Sequence, residues 1–359
     1  MAFMSVDEGT RLPSRRPTIR DVAAQAGVSK SVASRVYSGS THVSNESRRR
    51  VLEAAETLGF RPNLVARSLA GQRDDFVGIL VADLYNPVFA EVVDAARSEL
   101  ALFGKAGLLT SALSPGVQSD ADDTGREGSR GEALLDDHAV ALFGDLRPAR
   151  LLVVGSVPSL DRVVSAAPHA RIVAASSIPE APTGIPFVRG DDDAGMRLLI
   201  DHLIEEGHSD IAHVGGPGSP VSTLRADAFR RLMAERGLGD RARVVPGGYT
   251  RALGLRGARS LLETQDPPTA IIAVNDLAGL GVLEAADAHA ARTGRRVAVT
   301  GYDNTFLAAL PRIALTSVDP GSDEIGREAA RLLLDDADVS VGEVLVAPKL
   351  IVRESSRTR

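Results

Sequence analysis

The 359-residue chain contains no cysteine, which excludes disulfides, zinc fingers, iron–sulfur clusters and thiol catalysis together. Tryptophan is also absent, and aromatic residues make up only 4% of the chain, so few rings are available to stack on a planar ligand. No window approaches the roughly 18 consecutive apolar residues that a membrane helix needs. Met1 to Arg16 mixes Asp7, Glu8 and arginines without the apolar centre of a signal peptide. A cytoplasmic protein with no membrane partner is expected. The seven histidines show no paired metal spacing, so neither a metal nor a cofactor is expected.

What is present is charge, unevenly placed. Between Arg11 and Arg73 there are 12 Lys and Arg against 4 acids, a surplus of 8 positive charges, while Asp74 onward carries a net charge of −12. A basic head joined to an acidic body points to a polyanion-binding head. At roughly 150 residues per domain, the chain has room for a small head and a larger body.

Within the head, Thr18 with Asp21 three residues on reads as a helix start, and Ile19, Val22, Ala23 and Ala26 follow at i, i+3, i+4 and i+7. Gly27 stops that helix, and Ser29 caps a second, Lys30 to Tyr37. There Ala33, Val36 and Tyr37 turn inward with Val28, leaving Lys30, Ser31, Ser34 and Arg35 on the outer face. This is a helix-turn-helix pattern, and the outer set has the reach to read base edges in a major groove. A third helix, capped by Ser44, is expected to turn Val51, Leu52, Ala55 and Leu58 inward, with Arg48 to Arg50 divided between a solvated face and phosphate contact. After the break at Phe60-Arg61-Pro62, Asn63 heads a segment to Ala70 that is too short to stay helical alone in water.

Thr18-Ile19-Arg20-Asp21-Val22-Ala23, Ala26-Gly27-Val28-Ser29, Ser34-Arg35-Val36, His42-Val43-Ser44 and Gly59-Phe60-Arg61-Pro62-Asn63 together resemble the LacI/GalR bacterial transcriptional regulators. Gly78-Ile79-Leu80-Val81, Asn86-Pro87-Val88-Phe89-Ala90, Gly215-Gly216-Pro217, Asn275-Asp276 and Gly301-Tyr302-Asp303-Asn304 extend the likeness along nearly the whole chain. Val32-Ala33 stands where the family usually has Thr-Val, which leaves the operator sequence open. The resemblance implies a repressor that is a homodimer, or a tetramer, on a pseudo-palindromic double-stranded DNA operator. It implies DNA contacts by Thr18, Ser29, Lys30, Ser31, Ser34 and Arg35, and by Asn63, Ala66, Arg67 and Leu69 in a hinge helix, with Leu69 wedged between base steps in the minor groove. The domains expected are a disordered extension over 1–17, a helix-turn-helix domain over 18–62, a hinge helix and linker over 63–73, and a two-lobed effector-binding and dimerisation body over 74–359.

In the body, apolar runs alternate with helix-length segments: Val77 to Ala82, Leu108 to Thr110, Leu151 to Gly155, Ile172 to Ala175, Ile211 to Gly215, Ala270 to Val274 and Val297 to Gly301. This alternation predicts parallel α/β sheets. The family likeness implies two lobes of the type I periplasmic-binding-protein kind joined by three crossovers, with the ligand between them. Ligands in such sheets sit beyond the carboxyl ends of the strands, which nominates Asp83, Asn86, Asn275 and Asp303 directly, with Tyr302 and Asn304 as further polar groups and Asp276 read as a helix cap. The resemblance adds Phe89 and Arg225, the latter in Arg225-Ala226-Asp227-Ala228-Phe229. A competing reading makes these Asp and Asn residues simple caps.

Carboxylate, amide and guanidinium together suit a neutral polyhydroxy ligand, so the effector is expected to be a sugar. Alternatives are a regulator of nucleoside or other non-sugar metabolism and a sugar-binding transport component; the missing signal peptide and the basic head oppose the latter. An enzyme is not expected, since Gly215-Gly216-Pro217-Gly218 lacks the Gly-Lys-Ser/Thr ending of a phosphate loop. Residues 114 to 131, rich in Gly, Ser and Asp, read as an inserted loop.

Overall fold

The computed structural model describes residues 17–37, 42–60, 76–113, 135–157, 159–178, 184–216, 218–335 and 342–357. Asn63, Ala66, Arg67 and Leu69, the hinge segment 63–73 and the insertion 114–131 lie outside them. The chain divides into two compact units, Met1–Arg73 and Asp74–Arg359.

The first unit holds α1 (Ile19–Gln25), α2 (Lys30–Tyr37) and α3 (Asn45–Leu58). Local chemistry sets their ends. The Thr18 backbone N–H and hydroxyl both donate to Asp21 Oδ2 at 2.7 Å. Ser29 Oγ accepts from the Val32 N–H at 3.2 Å, Ser44 Oγ accepts from Ser47, and Gly59 closes α3 in the left-handed region. Val22, Ala23, Ala26, Ala33, Val36, Val51, Ala54 and Ala55 form the core, with Val28, Tyr37 and Leu58 partly buried against it. Leu52, expected inward, is exposed. The inward stripe runs Val51, Ala54, Ala55, Leu58, and Leu52 lies about 100° round the helix from Val51.

The second unit carries two six-stranded sheets. The first, in order β11 (Glu343–Val346), β5 (Phe187–Gly190), β4 (Arg171–Ala175), β3 (Arg150–Val154), β1 (Phe76–Val81), β2 (Ala106–Ser111), is wholly parallel. The second has the order β12 (Lys349–Ile351), β10 (Thr316–Asp319), β9 (Ala298–Tyr302), β8 (Ala270–Ala273), β6 (Ile211–Gly215), β7 (Arg243–Pro246). Here β12 runs antiparallel to β10, a departure from the all-parallel expectation. The chain passes between sheets after β5, after β10 and between β11 and β12, which gives the three crossovers.

Helices cover both faces of each sheet, so the central strands read as unbroken apolar runs. On the first sheet, α4 (Pro87–Leu102) and α11 (Ser322–Leu334) bury Val92, Leu100, Ile325 and Leu333 on one side. The other side is covered by α5 (Asp137–Leu146) and α6 (Leu160–Ala166) through Phe143 and Val163. On the second sheet, α7 (Asp192–Glu205) and α8 (Pro220–Glu235) cover one face with Leu199, Phe229 and Leu232. Helices α9 (Arg251–Leu262) and α10 (Asp276–Thr293) cover the other with Leu261, Val282 and Ala285. No helix among the described residues is long and apolar enough to cross a membrane.

Candidate functional site

The carboxyl ends of both sheets face one cavity of about 240 Å3, lined by Asp83, Asn86, Phe89, Arg225 and Asp303 among others. Of the body residues nominated from the sequence, these five therefore converge there. Asn275 does not line it. Its Oδ1 accepts from the Ala278 N–H at 2.9 Å and it is fully buried as the cap of α10. Asp276, read as the cap, has another task. Its Oδ2 accepts from the Thr305 N–H at 2.7 Å and hydroxyl at 2.9 Å, and its Oδ1 from the Ser317 hydroxyl at 2.6 Å. Burial pushes this carboxyl up to about 6, opposed by those donors.

That network aims Asp303. Asp303 (φ 101°) and Asn304 (φ 47°) are consecutive non-glycine residues in the left-handed region, a costly backbone that persists only when over-determined. Asn304 supplies the determination: its N–H donates to Ser317 Oγ at 3.0 Å, its amide to Asp319 at 3.3 Å, and its Oδ1 accepts from Arg353 at 2.6 Å. Asn304 is thus a scaffold and lies outside the cavity lining. The turn leaves the Asp303 carboxyl in the cleft, hydrogen-bonded by the Asn86 side chain from the first lobe. Burial pushes the Asp303 carboxyl up to about 8, with Arg225 opposing and Asp276 and Asp192 adding to the rise.

Arg225 is held on every side. Its Nε donates to Asp192 Oδ1 at 2.7 Å and its Nη1 to the Val274 carbonyl at 2.6 Å, while Nη2 lies 3.9 Å from Asp303 Oδ1. The guanidinium carbon sits 3.5 Å over the ring of Tyr302, a cation–π stack in a desolvated setting. Burial works against the charge, yet Asp192, Tyr302 and Asp303 outweigh it and hold Arg225 protonated above its ordinary range. Tyr302, nominated as a hydroxyl-binding group, is fully buried beneath Arg225 instead. The ring fits because position 195 is glycine: a Cβ there would collide with the phenol.

Asp192 escaped the sequence reading. It lies in Asp191-Asp192-Asp193, which resembles helix-capping acids, and Asp191 does cap α7 by accepting from Ala194. Asp192 turns inward and also accepts from Arg189 Nη1 at 3.1 Å, so one carboxylate joins a first-lobe strand to a second-lobe helix. Ser156, two residues past β3, and Ser176, directly after β4, line the cavity as well, and the strand-end rule finds both. Arg189, Asp192 and Tyr249 follow or belong to short strands that carry no clear periodic signal.

On the first lobe, Asn86 Oδ1 caps α4 by accepting from Val88 at 3.3 Å, with Pro87 at the first helical position. Asp83 Oδ1 accepts from the Tyr85 N–H at 2.7 Å. Phe89 packs beside Gly155, which has φ 83° and whose added Cβ would lie 2.8 Å from the Phe89 ring. His213 is a core residue: Nδ1 lies 3.0 Å from the Ile272 carbonyl, and burial lowers it to about 4.

In the head, Ser29, Lys30, Ser31, Ser34 and Arg35 are all exposed on or just before α2, and Thr18 is half-buried at the start of α1. Two arginines assigned to a solvated or phosphate-contacting face act internally. Arg50 Nη2 donates to the Ala26 and Gly27 carbonyls, the latter at 3.0 Å, and Arg48 Nη1 to the Val36 carbonyl at 3.4 Å. Each closes the end of a preceding helix, where unpaired carbonyls attract cations. Arg49 pairs with Glu53 at 3.0 Å on the surface.

A helix-turn-helix head and a two-lobed sheet body with a polar cleft define the DNA-binding transcriptional regulators built on a periplasmic-binding-protein-like body. Residues 18–63 match the family model for bacterial regulatory proteins of the lacI family, and residues 200–356 match the periplasmic binding protein-like domain. The HTH-type transcriptional regulator CelR of Thermobifida fusca is 32% identical over 355 residues, covering 95% of this chain and 98% of that protein. The chain belongs to the lacI family. Among solved structures, the lac repressor dimer bound to operator and the anti-inducer ONPF superposes with a TM-score of 0.77 at 24% identity, over 96% of this chain and all of that one. The CelR–cellobiose complex superposes with a TM-score of 0.63 at 27% identity, over 95% of this chain and all of that one.

Proposed function

We propose that this regulator is a cytoplasmic, non-enzymatic repressor of carbohydrate-utilisation genes, and that a neutral sugar in the cleft controls its hold on a pseudo-palindromic operator. The observation that carries the reading is the charge balance of the cleft. Arg225 and Arg189 are both cationic, but Asp192 binds both and Glu343 accepts from Arg189 at 2.5 Å. Among the described residues, the cleft holds no uncommitted positive charge for a phosphate or carboxylate. Asp303, Asn86, Asp83 and the serines offer instead the mixture of donors and acceptors that vicinal hydroxyls satisfy. The cellobiose bound by CelR supports the same class.

Operator contact is assigned to Lys30, Ser31, Ser34 and Arg35 on the exposed face, with Arg35 forking onto guanine. Thr18, Ser29, Asn63, Ala66, Arg67 and Leu69 complete the proposed set. A homodimer doubles the base contacts of one small head. Because the sugar contacts groups of both lobes, it binds two lobe arrangements unequally, and only such unequal binding moves an equilibrium. The test is a thermal-shift panel of sugars and nucleosides on the full chain, followed by operator binding with and without each hit. A sugar that stabilises the body and weakens operator binding is the expected result. Stabilisation by nucleosides alone overturns the sugar assignment.

A further inference from the structure

The cleft continues beyond its inner cavity. At Gly218 and Ser219 it meets an open shelf of about 460 Å3 walled by Ile178 from the first lobe and by Pro220, Thr223, Leu224 and Asp227 from α8. The four α8 residues recur at i, i+3, i+4 and i+7, a single stripe of the helix. Val221 and Arg225, which line the inner cavity, lie about a third of a turn round from it. One helix start therefore faces two contiguous spaces with two different stripes. The neck between them is fixed by the Ser219 hydroxyl and the Tyr249 phenol, 2.8 Å apart.

The two spaces differ in depth and in what they bring together. The inner one combines Asp83, Asn86, Arg225 and Asp303 with apolar Phe89 and Val221 and, at about 240 Å3, falls below the roughly 300–1,000 Å3 common for small-molecule sites. It suits one sugar ring. The shelf offers Ile178, Pro220 and Leu224 as an apolar bed, with the Thr223 hydroxyl and the Asp227 carboxylate at its edge, the latter already accepting from Arg230 at 2.9 Å. Apolar side chains flanked by hydroxyl partners match the face and rim of a second ring. We infer that the effector is a disaccharide or longer glycoside, with one ring in the inner cavity, the glycosidic bond at the Gly218–Ser219 neck and the next ring on the shelf. This rests on the sugar reading above and extends it to the length of the ligand.

The experiment is calorimetric titration of the full chain with monosaccharides and the disaccharides built from them: glucose with cellobiose and maltose, galactose with lactose, and xylose with xylobiose. At least one disaccharide should bind tenfold or more tightly than its monosaccharide. Leu224→Arg, which crowds the shelf without touching the inner cavity, should bring that disaccharide within about twofold of the monosaccharide, whose own affinity stays unchanged and reports an intact fold. If Leu224→Arg does not fold, Thr223→Arg on the same stripe replaces it. Monosaccharides binding as tightly as disaccharides, or a disaccharide preference that survives the substitution, would overturn the inference while leaving the sugar reading standing. Failure of every saccharide to bind overturns both.

Discussion

Asp192 binds Arg225 through a 2.7 Å hydrogen bond although 33 residues separate them in the chain, and the same carboxylate takes Arg189 from the opposite lobe. Breaking a buried pair by removing one partner strands the other charge, at roughly 3–5 kcal/mol. Asp192→Ala leaves Arg225, among the described residues, with Val274, Tyr302, Tyr249 and the more distant Asp303. Arg225→Met leaves Asp192 with Arg189. Both variants should lose the effector, but Asp192→Ala should melt lower by several degrees and Arg225→Met by less. Thermal denaturation checks the order, and its reversal would show that Asp192 is dispensable to the fold.

Asp303 has a folded value near 8, against about 3.9 in an unfolded chain. Its carboxyl is held neutral by burial, so the native state binds the extra proton. The stability this contributes is complete below about pH 4 and is lost as the pH rises through 8. Asp303→Asn, which cannot ionise, should melt progressively higher relative to the parent protein between pH 5 and 8.5. Parallel melting curves across that range would contradict the assignment.

Asp303→Ala tests the cleft itself. It should abolish the response of operator binding to the effector while leaving operator affinity without effector within a few-fold, because Asp303 belongs to the second unit. An unchanged response at the same effector concentration would remove Asp303 from the site. Complete loss of DNA binding would make its role structural.

Arg35 and Arg50 should separate cleanly. Arg35→Ala should cost about 1–3 kcal/mol at one base position per half-site and little elsewhere. Arg50 closes the end of α1, so Arg50→Ala should lower the stability of the head by roughly 1.5–3 kcal/mol. It should also leave the slope of log affinity against log salt unchanged. A slope reduced by about one would mean a lost phosphate contact instead.

The sequence by itself determined the head and the scaffold of the body. Helices α1 and α2 end at caps written within three or four residues, and seven strands announce themselves as apolar runs flanked by helices, all of them buried except β2. From those strands the carboxyl-end rule reached Asp83, Asn86 and Asp303. What it could not weigh was any partner far along the chain. Asn275 and Asp276 are adjacent and chemically alike as caps; Thr305 and Ser317, 29 and 41 residues on, decide that Asp276 faces them and Asn275 caps. Arg48 and Arg50 looked like a basic face until folding brought the ends of α1 and α2 beneath them. Strands β5, β7, β10, β11 and β12, three or four residues each, are too short to show a period of two. They form only because a neighbouring strand supplies their hydrogen bonds. Four of them carry or receive the crossovers, so the two lobes around one cleft were implied by the family likeness and not by strand periodicity, and the tertiary structure alone decided that Asp192, at the first crossing, ties them together.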